Sequence, residues 1–400
     1  MLQGYPRADG RKGIRNILVV AYLVECAHHV AREIAWAFRG EPVHLVGFPG
    51  CYPSQYGQRI MERICTHPNV GGVLLVSLGC ESFPRESLAE AIRQSGRPIH
   101  TVVIQEAGGT RESIRQGRAW VAQTLEYLRR AERVPMGVEE LVVGTICGGS
   151  DATSGLTANP ACGHAFDLLL QAGATCIFEE TGELIGCEPF LAQRAVSPEV
   201  AEQLVQAVQK AARYYKAYGH ASFASGNAEG GLSTIEEKSL GAYCKTGKSP
   251  IRGYLKPGQL PPGPGLYLMD VVPDGQPLWG FPNICDNAEI VELIACGVHL
   301  NLFTTGRGSV VGSAIAPVLK ICANPETFCR MSEDMDINAG RILEGQATLE
   351  QMGQQIYQQV LAVASGQPTA SERLGHQEFI LTYKDFDWST PGPVLCAQQD

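Results

Sequence analysis

The sequence predicts an α/β protein with mostly parallel sheets and flanking helices, in two to three subdomains whose strand-end loops converge on one site. Three observations support this fold class. Short β-branched runs alternate with helix-like segments, the links between them are short, and most strand-like runs end in a glycine-flanked loop. The length of 400 residues suits two or three domains, and the 44% hydrophobic and 18% charged content is typical of a globular protein.

The first predicted domain, residues 1–136, consists of strand–helix units. Strands are expected at residues 17–22, 43–48, 72–78 and 99–104, and helices at residues 26–38, 54–65, 85–95 and 111–133. This alternation favours a parallel sheet, because each helix returns the chain to the edge where the next strand begins.

Two further α/β domains are predicted, at residues 137–255 and 256–400. The central domain carries the loops CGGSD and GNAEGG, and the C-terminal domain carries the loop TTGRGS. In the C-terminal domain, strands are expected at residues 266–271 and 300–303, and a helix pair at about 325–365. Residues 257–264 contain four prolines and indicate a linker or an exposed loop.

Composition excludes several classes of function. The formal net charge of −9 and the lack of any Lys/Arg-rich run argue against nucleic-acid binding. The polar N-terminus does not resemble a signal peptide, and no apolar run approaches the length of a membrane span. We therefore expect a cytoplasmic protein without membrane or nucleic-acid partners.

Residues 139–163 are the first candidate for a functional site. A β-branched run ends abruptly in Cys147-Gly148-Gly149-Ser150-Asp151, which predicts a buried strand followed by a loop of small polar residues. In α/β proteins, ligands bind beyond the carboxyl ends of the strands. The loop combines a thiol, a hydroxyl and a carboxylate, so we expect the site to lie there.

Three cysteines stand out among the fourteen in the chain. Cys51, Cys80 and Cys147 each follow a different predicted strand and each adjoins glycine. If these strands are parallel, the three thiols emerge at one edge and can act as soft ligands for iron, zinc or an iron–sulfur cluster. The alternative is that all three are small residues tolerated in tight turns. The remaining cysteines are interpreted as core or surface residues.

The loop TTGRGS places the hydroxyls of Thr304 and Thr305 and the guanidinium of Arg307 at one strand end. Arg binds carboxylates bidentately, so an acidic substrate fits; the alternative is an Arg paired with a structural Asp. No dinucleotide or P-loop motif follows a strand in the required form. Lys238 is a candidate general base if burial lowers its pKa; the alternative is a helix start with favourable glutamates in its first turn.

Several long motifs resemble the altronate/galactarate dehydratase family, and together they extend over nearly the whole chain. They are GY-x-R-x-DGR-x-G-x-RN (4–16), LGCE (78–81), CGGSDATSGLTANPA (147–161), GNAEGGLSTIEEKSLG (226–241), FTTGRGS (303–309) and D-x-D-x-NAGRI (334–342). The resemblance implies a hydro-lyase that dehydrates a 2,3-dihydroxy sugar acid, such as altronate or galactarate, to a 2-keto-3-deoxy acid in an iron-dependent reaction. The iron is expected as Fe²⁺ or as a cluster with an open iron.

The resemblance also suggests roles for individual residues. The metal ligands would be Cys51, Cys80 and Cys147. The substrate carboxylate would be bound by Arg307 with Thr304 and Thr305. The substrate hydroxyls would be bound by Ser150, Asp151 and Asn159. The acid–base candidates are Lys238, Glu183 and Glu237, together with Asp151.

Full-length members of this family carry an additional small N-terminal domain of the SAF type. Here the first family motif begins at Gly4, so the chain resembles the large subunit of a split enzyme with a separate small SAF-domain subunit, and a homo-oligomer is expected. Segment 281–290, FPNICDNAEI, has no counterpart that we could assign in the sugar-acid enzymes. Two alternatives therefore stay open. One is a sulfolactate sulfo-lyase large subunit that releases sulfite, and the other is a non-catalytic carboxylate-binding subunit.

Overall fold

The computed structural model describes residues 2–219, 222–274, 284–382 and 384. The strands are, in chain order, β1 Leu2–Pro6, β2 Lys12–Gly13, β3 Ile17–Tyr22, β4 Val43–Gly47, β5 Val70–Ser77, β6 Ile99–Val103, β7 Val134–Met136, β8 Val142–Cys147, β9 Thr175–Glu179, β10 Ile251–Leu255, β11 Leu266–Met269, β12 Leu300–Thr305, β13 Val318–Cys322 and β14 Ile337–Asn338. The lengths of these strands are ordinary for a globular α/β protein.

The helices lie between the strands for most of the chain. They are α1 Glu25–Trp36, α2 Gln55–Cys65, α3 Arg85–Gln94, α4 Ile104–Ala107, α5 Thr110–Arg129, α6 Ala158–Gln171, α7 Glu188–Arg194, α8 Pro198–Tyr218, α9 Ser225–Glu229, α10 Ile235–Cys244, α11 Asp286–Ala295, α12 Pro325–Arg330, α13 Leu349–Ala364 and α14 Ala370–Leu374. Several begin where a hydroxyl accepts a hydrogen bond from a free backbone N–H, as Ser54, Ser197 and Thr234 do.

Two parallel sheets and one small antiparallel sheet organise these elements. Strands β4-β3-β5-β6 form a four-stranded parallel sheet, and β10-β11-β9-β8-β12-β13-β14 form a seven-stranded parallel sheet. Strand β1 pairs antiparallel with β2 and β7. The α/β fold class with mostly parallel sheets and flanking helices is confirmed.

The predicted boundary between residues 255 and 256 lies within one sheet. Strands β8, β9 and β10 precede it, β11 to β14 follow it, and β11 pairs with both β9 and β10. The predicted central and C-terminal domains therefore share a sheet and a core. The division of the chain into three domains stays a prediction.

Apolar side chains on helices bury both faces of the seven-stranded sheet. Helices α6 and α13 pack on one face, where Phe166, Met352 and Ile356 are fully buried. Helix α11 packs on the other face, next to α2. Helix α2 belongs to residues 2–136, which we call the first unit. The Tyr56 hydroxyl on α2 donates a 2.5 Å hydrogen bond to Glu292 on α11. A polar contact inside an apolar core thus joins the two units.

None of the helices in the part of the chain that the structure describes is long and apolar enough to cross a membrane.

Candidate active site

The candidate site lies at the carboxyl ends of three neighbouring strands in the seven-stranded sheet. Strand β8 ends at Cys147, β9 ends at Glu179 and β12 ends at Thr305, and β8 lies between the other two. Because all three strands are parallel, the loops that follow them meet at one edge. This is the edge at which the CGGSD and TTGRGS loops were expected.

A cavity of about 660 Å³ opens at this edge. Loops after β8, β9 and β12 contribute to its wall, and so do α8, α9, α10 and the start of α11. Its ionisable and nucleophilic lining residues are Cys147, Ser150, Glu179, Glu180, Glu183, Tyr215, Glu229, Lys238, Cys285, Asp286, Glu289 and Arg307. The cavity is large enough for a small polar substrate.

Cys147, Glu180 and Glu183 form a compact group in this wall. One ligand atom from each residue lies within 4.8 Å of the others. The Cys147 sulfur is 3.1 Å from a Glu183 oxygen and 3.5 Å from a Glu180 oxygen, and the Cys147 backbone N–H donates a 2.5 Å hydrogen bond to Glu180. The hydroxyl of Ser150 lies 3.1 Å from the same sulfur. A thiolate and two carboxylates can together hold a first-row divalent metal ion.

Two buried lysines neutralise part of this group. Lys238 forms an ion pair with Glu183 and donates a 2.9 Å hydrogen bond to the Ser222 carbonyl. Lys245, at the end of α10 and fully buried, forms an ion pair with Glu180. Each carboxylate of the group therefore has its own cation.

The ionisation of the group follows from burial and from these charges. Burial raises the pKa of the Cys147 thiol, and the charges of Glu180 and Glu183 raise it further. Burial and the neighbouring Glu183 also raise the pKa of Glu180. Burial opposes ionisation of Glu183 too, but the charges of Lys238 and Lys245 and the hydrogen bonds to Lys238 and Glu180 together outweigh it and lower the pKa of Glu183 to about 2. Burial therefore disfavours the thiolate of Cys147 and the carboxylate of Glu180, whereas Glu183 ionises more readily than a free glutamate.

The backbone of Glu180 has an unusual conformation. Its φ is 154° and its ψ is 28°, and it is the only non-glycine residue with positive φ in the described part of the chain. L-residues adopt this region at a cost of about 1–3 kcal/mol, and such strain concentrates at functional sites. Here it allows Glu180 to turn back toward the end of β8.

The three predicted cysteine ligands are not brought into one group. Cys147 ends a strand of the seven-stranded sheet, whereas Cys51 and Cys80 follow β4 and β5 of the other sheet and are exposed. The loops of Cys51 and Cys80 do touch, through a hydrogen bond from the Ser82 N–H to the Cys51 carbonyl. The prediction that the three thiols emerge at one edge assumed that their strands belong to the same sheet. Glu180 and Glu183, rather than Cys51 and Cys80, accompany Cys147.

Arg307 lies at the mouth of the cavity, as expected for a residue that binds a substrate carboxylate. It is 41% exposed, and its guanidinium contacts the Gly226 carbonyl and, at 3.0 Å, Glu229. Thr304 and Thr305 are buried at the end of β12 and do not line the cavity. The Thr305 hydroxyl accepts a hydrogen bond from the Gly308 N–H at 3.0 Å and thus supports the Arg307 loop.

A second, smaller cavity of about 230 Å³ shares Ser150 and Lys238 with the first. Asp151, Asn159 and Glu237 line this cavity and not the larger one. Asp151 accepts hydrogen bonds from the N–H and hydroxyl of Thr153, at 2.9 and 2.6 Å, and so supports its own loop. Glu237 accepts the Ser233 N–H at 2.7 Å in front of α10, which is the structural role named as its alternative.

Lys238 was predicted to act as a general base if burial lowers its pKa, and in this structure its pKa is not lowered. Burial alone would lower the pKa of Lys238, but the charge and hydrogen bond of Glu183, together with the charges of Cys147 and Glu180, more than compensate and raise it. Lys238 is therefore an ammonium group held against an ionised carboxylate. The pair presents a proton donor and a proton acceptor side by side on the cavity wall.

Four important residues were missed as site candidates. Glu179 and Glu180 lie at the end of β9, so their position at a strand end was a signal that the sequence contained. Asp286 and Glu289 lie in segment 281–290, of which residues 284–290 are described. Their spacing of three residues places both on one face of α11, which is a signal that the sequence contained.

Comparison with known proteins agrees with this geometry. Residues 138–386 match the family model "D-galactarate/Altronate dehydratase, C-terminal", and residues 4–129 match "D-galactarate dehydratase/Altronate hydrolase, second domain". The chain is 34% identical to the (2R)-sulfolactate sulfo-lyase subunit beta of Chromohalobacter salexigens, over 95% of this chain and 96% of that protein.

Two proteins named as dehydratases are similarly related. The galactarate dehydratase (L-threo-forming) of Escherichia coli is 32% identical, over 93% of this chain and 74% of that enzyme. The altronate dehydratase of Bacillus subtilis is 30% identical, over 95% of this chain and 77% of that enzyme. From these matches and the family models, this chain belongs to the D-galactarate/altronate dehydratase family.

Proposed function

We propose that the protein is a metal-dependent lyase that removes water from a 2,3-dihydroxy sugar acid of the altronate or galactarate type and leaves a 2-keto-3-deoxy acid. The observation that carries this proposal is the group of Cys147, Glu180 and Glu183 in the wall of a polar cavity at the sheet edge. Family membership supports the reaction class, since related proteins of this family are named as dehydratases.

The charges around the cavity support a bound cation. Six carboxyl groups lie in its wall, and Lys238, Lys245 and Arg307 pair with three of them. Burial and the neighbouring carboxylates raise the pKa of Glu179 and Glu289, so negative charge is in excess here whenever these groups ionise. A divalent cation removes most of this excess charge and favours the thiolate form of Cys147.

The metal that we propose is iron. One thiolate and two carboxylates fit a single first-row divalent ion and leave coordination positions open, whereas a cluster would call for further cysteines in the group. When bound, such an ion supplies Lewis acidity toward a carboxylate or hydroxyl oxygen of the substrate. The ligands would be Cys147, Glu180 and the Oε2 atom of Glu183, which faces the Cys147 sulfur, while the Oε1 atom of Glu183 stays against Lys238.

The residues of the chain supply the remaining chemistry. Arg307 at the mouth binds the substrate carboxylate, for which it must exchange its contact with Glu229. Lys238 and Glu183 move the proton at the carbon beside that carboxylate, because they are a donor and an ionised acceptor in contact. Ser150 donates a hydrogen bond to a substrate hydroxyl. Thr304, Thr305, Asp151 and Asn159 support these loops.

Direct assay tests the proposal. Purified protein with Fe²⁺ under anaerobic conditions is incubated with D-galactarate, D-altronate or (2R)-sulfolactate. We expect a 2-keto-3-deoxy acid from a sugar acid. Sulfite from sulfolactate would instead support the second candidate, a sulfo-lyase. The observation that favours this candidate is that the chain covers 96% of a sulfo-lyase subunit and 74% of the galactarate dehydratase. Turnover of none of the three, with iron bound, would contradict both.

The metal site is tested by Cys147→Ser. We expect its dissociation constant for Fe²⁺ to rise by at least about tenfold, because the thiolate ligand is replaced by a weakly coordinating hydroxyl. Cys329→Ser, which changes an exposed thiol, is the matched control and should bind iron as the wild type does. Equal affinity of both variants would remove Cys147 from the ligand set.

A separate small subunit is part of the proposal. The chain covers 96% of a protein that is named subunit beta, and this name implies a partner subunit. We propose that the partner is a small SAF-type subunit, and that the chain also forms homo-oligomers. Co-expression with a candidate small subunit and size-exclusion chromatography tests both.

A further inference from the structure

Glu289 differs from the other carboxyl groups of the cavity. It lies one turn into α11, is 8% exposed and faces the cavity. Its carboxyl group makes no hydrogen bond or ion pair with any residue that the structure describes, whereas Glu180 and Glu183 each have a lysine. An ionised carboxylate in such a place loses its hydration without compensation, so the neutral acid is favoured.

Most ionisable groups around Glu289 favour its neutral, protonated form. The ionisable groups are Asp286 and Glu292 on α11, Glu179 at the end of β9, Glu183 in the following turn, Tyr215 on α8, Cys285 before α11 and Lys384. Lys384 alone favours the carboxylate, and it is committed to a buried ion pair with Glu292. Burial first, and then the charge of Asp286, raise the pKa of Glu289 to about 8.

We propose that Glu289 is the general acid of the reaction and delivers its proton to the oxygen that leaves the substrate. This deepens the proposed dehydration and depends on it. The argument is geometric: Glu289 is a buried acid without a partner, in the same cavity as the Lys238–Glu183 pair but on a different element. Elimination needs an acceptor for the proton at one carbon and a donor for the oxygen at the next.

The step balances with these groups. The Lys238–Glu183 pair accepts the proton from the carbon beside the carboxylate, and the electrons of that C–H bond form the new C=C bond. The adjacent C–O bond breaks, its electron pair stays with oxygen, and the Glu289 proton converts the leaving hydroxide to water. The enol then becomes the ketone without a net change in protons, and exchange with solvent removes the proton from the Lys238–Glu183 pair and returns one to Glu289. No oxidant or reductant is required.

Glu289→Gln tests the assignment with little change in shape. We expect kcat to fall by about 10²- to 10⁴-fold with KM within a few-fold, and the decline of kcat above about pH 8 to disappear, because the group that must stay protonated is gone. Glu326→Gln makes the same chemical change at an exposed position and should behave as the wild type. A kcat within threefold of the wild type, or an unchanged alkaline decline, would overturn the proposal.

An infrared measurement tests the proton on Glu289 without any activity. The difference spectrum between pH 6 and pH 10 of metal-loaded wild type should contain the carbonyl stretch of a neutral carboxylic acid, and this band should be missing from Glu289→Gln and present in Glu326→Gln. Identical spectra for all three proteins would overturn the proposal even if dehydration is observed. A protein with this band but no lyase activity would instead refute the proposed function.

Discussion

Replacing Lys245 with methionine tests the electrostatic architecture of the site. Lys245 is fully buried and Glu180, its ion-pair partner, is 3% exposed. Removing one partner of a buried ion pair typically costs about 3–5 kcal/mol, because a charge is left without compensation. Glu180 can escape part of this cost by binding a proton, since its pKa is already raised by burial and by Glu183. We therefore expect a loss of about 3 kcal/mol in the free energy of unfolding.

A double-mutant cycle separates the pair from simple packing. Urea denaturation of metal-free protein, followed by circular dichroism, is measured for Lys245→Met, Glu180→Gln and the double variant. If the two residues act as a pair, the double variant loses less stability than the sum of the single losses, by about 2 kcal/mol or more. Additivity within about 0.5 kcal/mol would refute the reasoning, and so would a loss below about 1 kcal/mol for Lys245→Met alone.

Three other predictions follow from the same structure. Glu289 has a pKa of about 8 in the folded protein and near 4.5 in the unfolded protein, so folding takes up protons between these pH values. The free energy of unfolding should therefore fall as the pH rises from about 4.5 to about 8, by up to about 1.4 kcal/mol per pH unit. Urea midpoints at several pH values should fall less steeply for Glu289→Gln than for the wild type. Gly163→Ala should destabilise the protein by about 1–3 kcal/mol, because the added Cβ would lie 2.1 Å from the Cys244 carbonyl oxygen. Gly263→Ala should not destabilise the protein, because the added Cβ would have no atom within 4 Å. Equal melting temperatures for the Gly163→Ala and Gly263→Ala variants would contradict this packing argument. Arg307→Ala should raise KM for an acidic substrate by about tenfold or more, with a smaller effect on kcat, and an unaltered KM would remove Arg307 from the site.

The elements were predictable from the sequence, but the partition of strands among sheets was not. Alternating strand and helix patterns located most strands within a few residues, since the side-chain period is a local property. Pairing of parallel strands is a long-range property. Strand β11 lies beside β9, although 86 residues separate the end of β9 at Glu179 from the start of β11 at Leu266. No local pattern specifies such a neighbour, and the cysteine prediction failed to anticipate two sheets for that reason.

The site was predictable where a motif ends a strand. Cys147, Ser150, Glu183, Lys238 and Arg307 were selected from strand-end loops and the family motifs, and the structure places all five around one cavity. The α11 residues were not selected, because their approach to the site depends on how a helix packs against a sheet. The available signal was the acidic residues Asp286, Glu289 and Glu292 at helical spacing in an otherwise apolar stretch.

Helix α11 links the candidate active site to the first unit of the chain, although that unit does not line the cavity. Two turns of this helix separate Asp286, at the cavity, from Glu292, which contacts Tyr56 of the first unit. None of the described residues of that unit lines the cavity. The first unit therefore positions helix α11, which carries Glu289. A shortened protein without the first unit would keep every residue that lines the cavity, but the orientation of Glu289 would be lost.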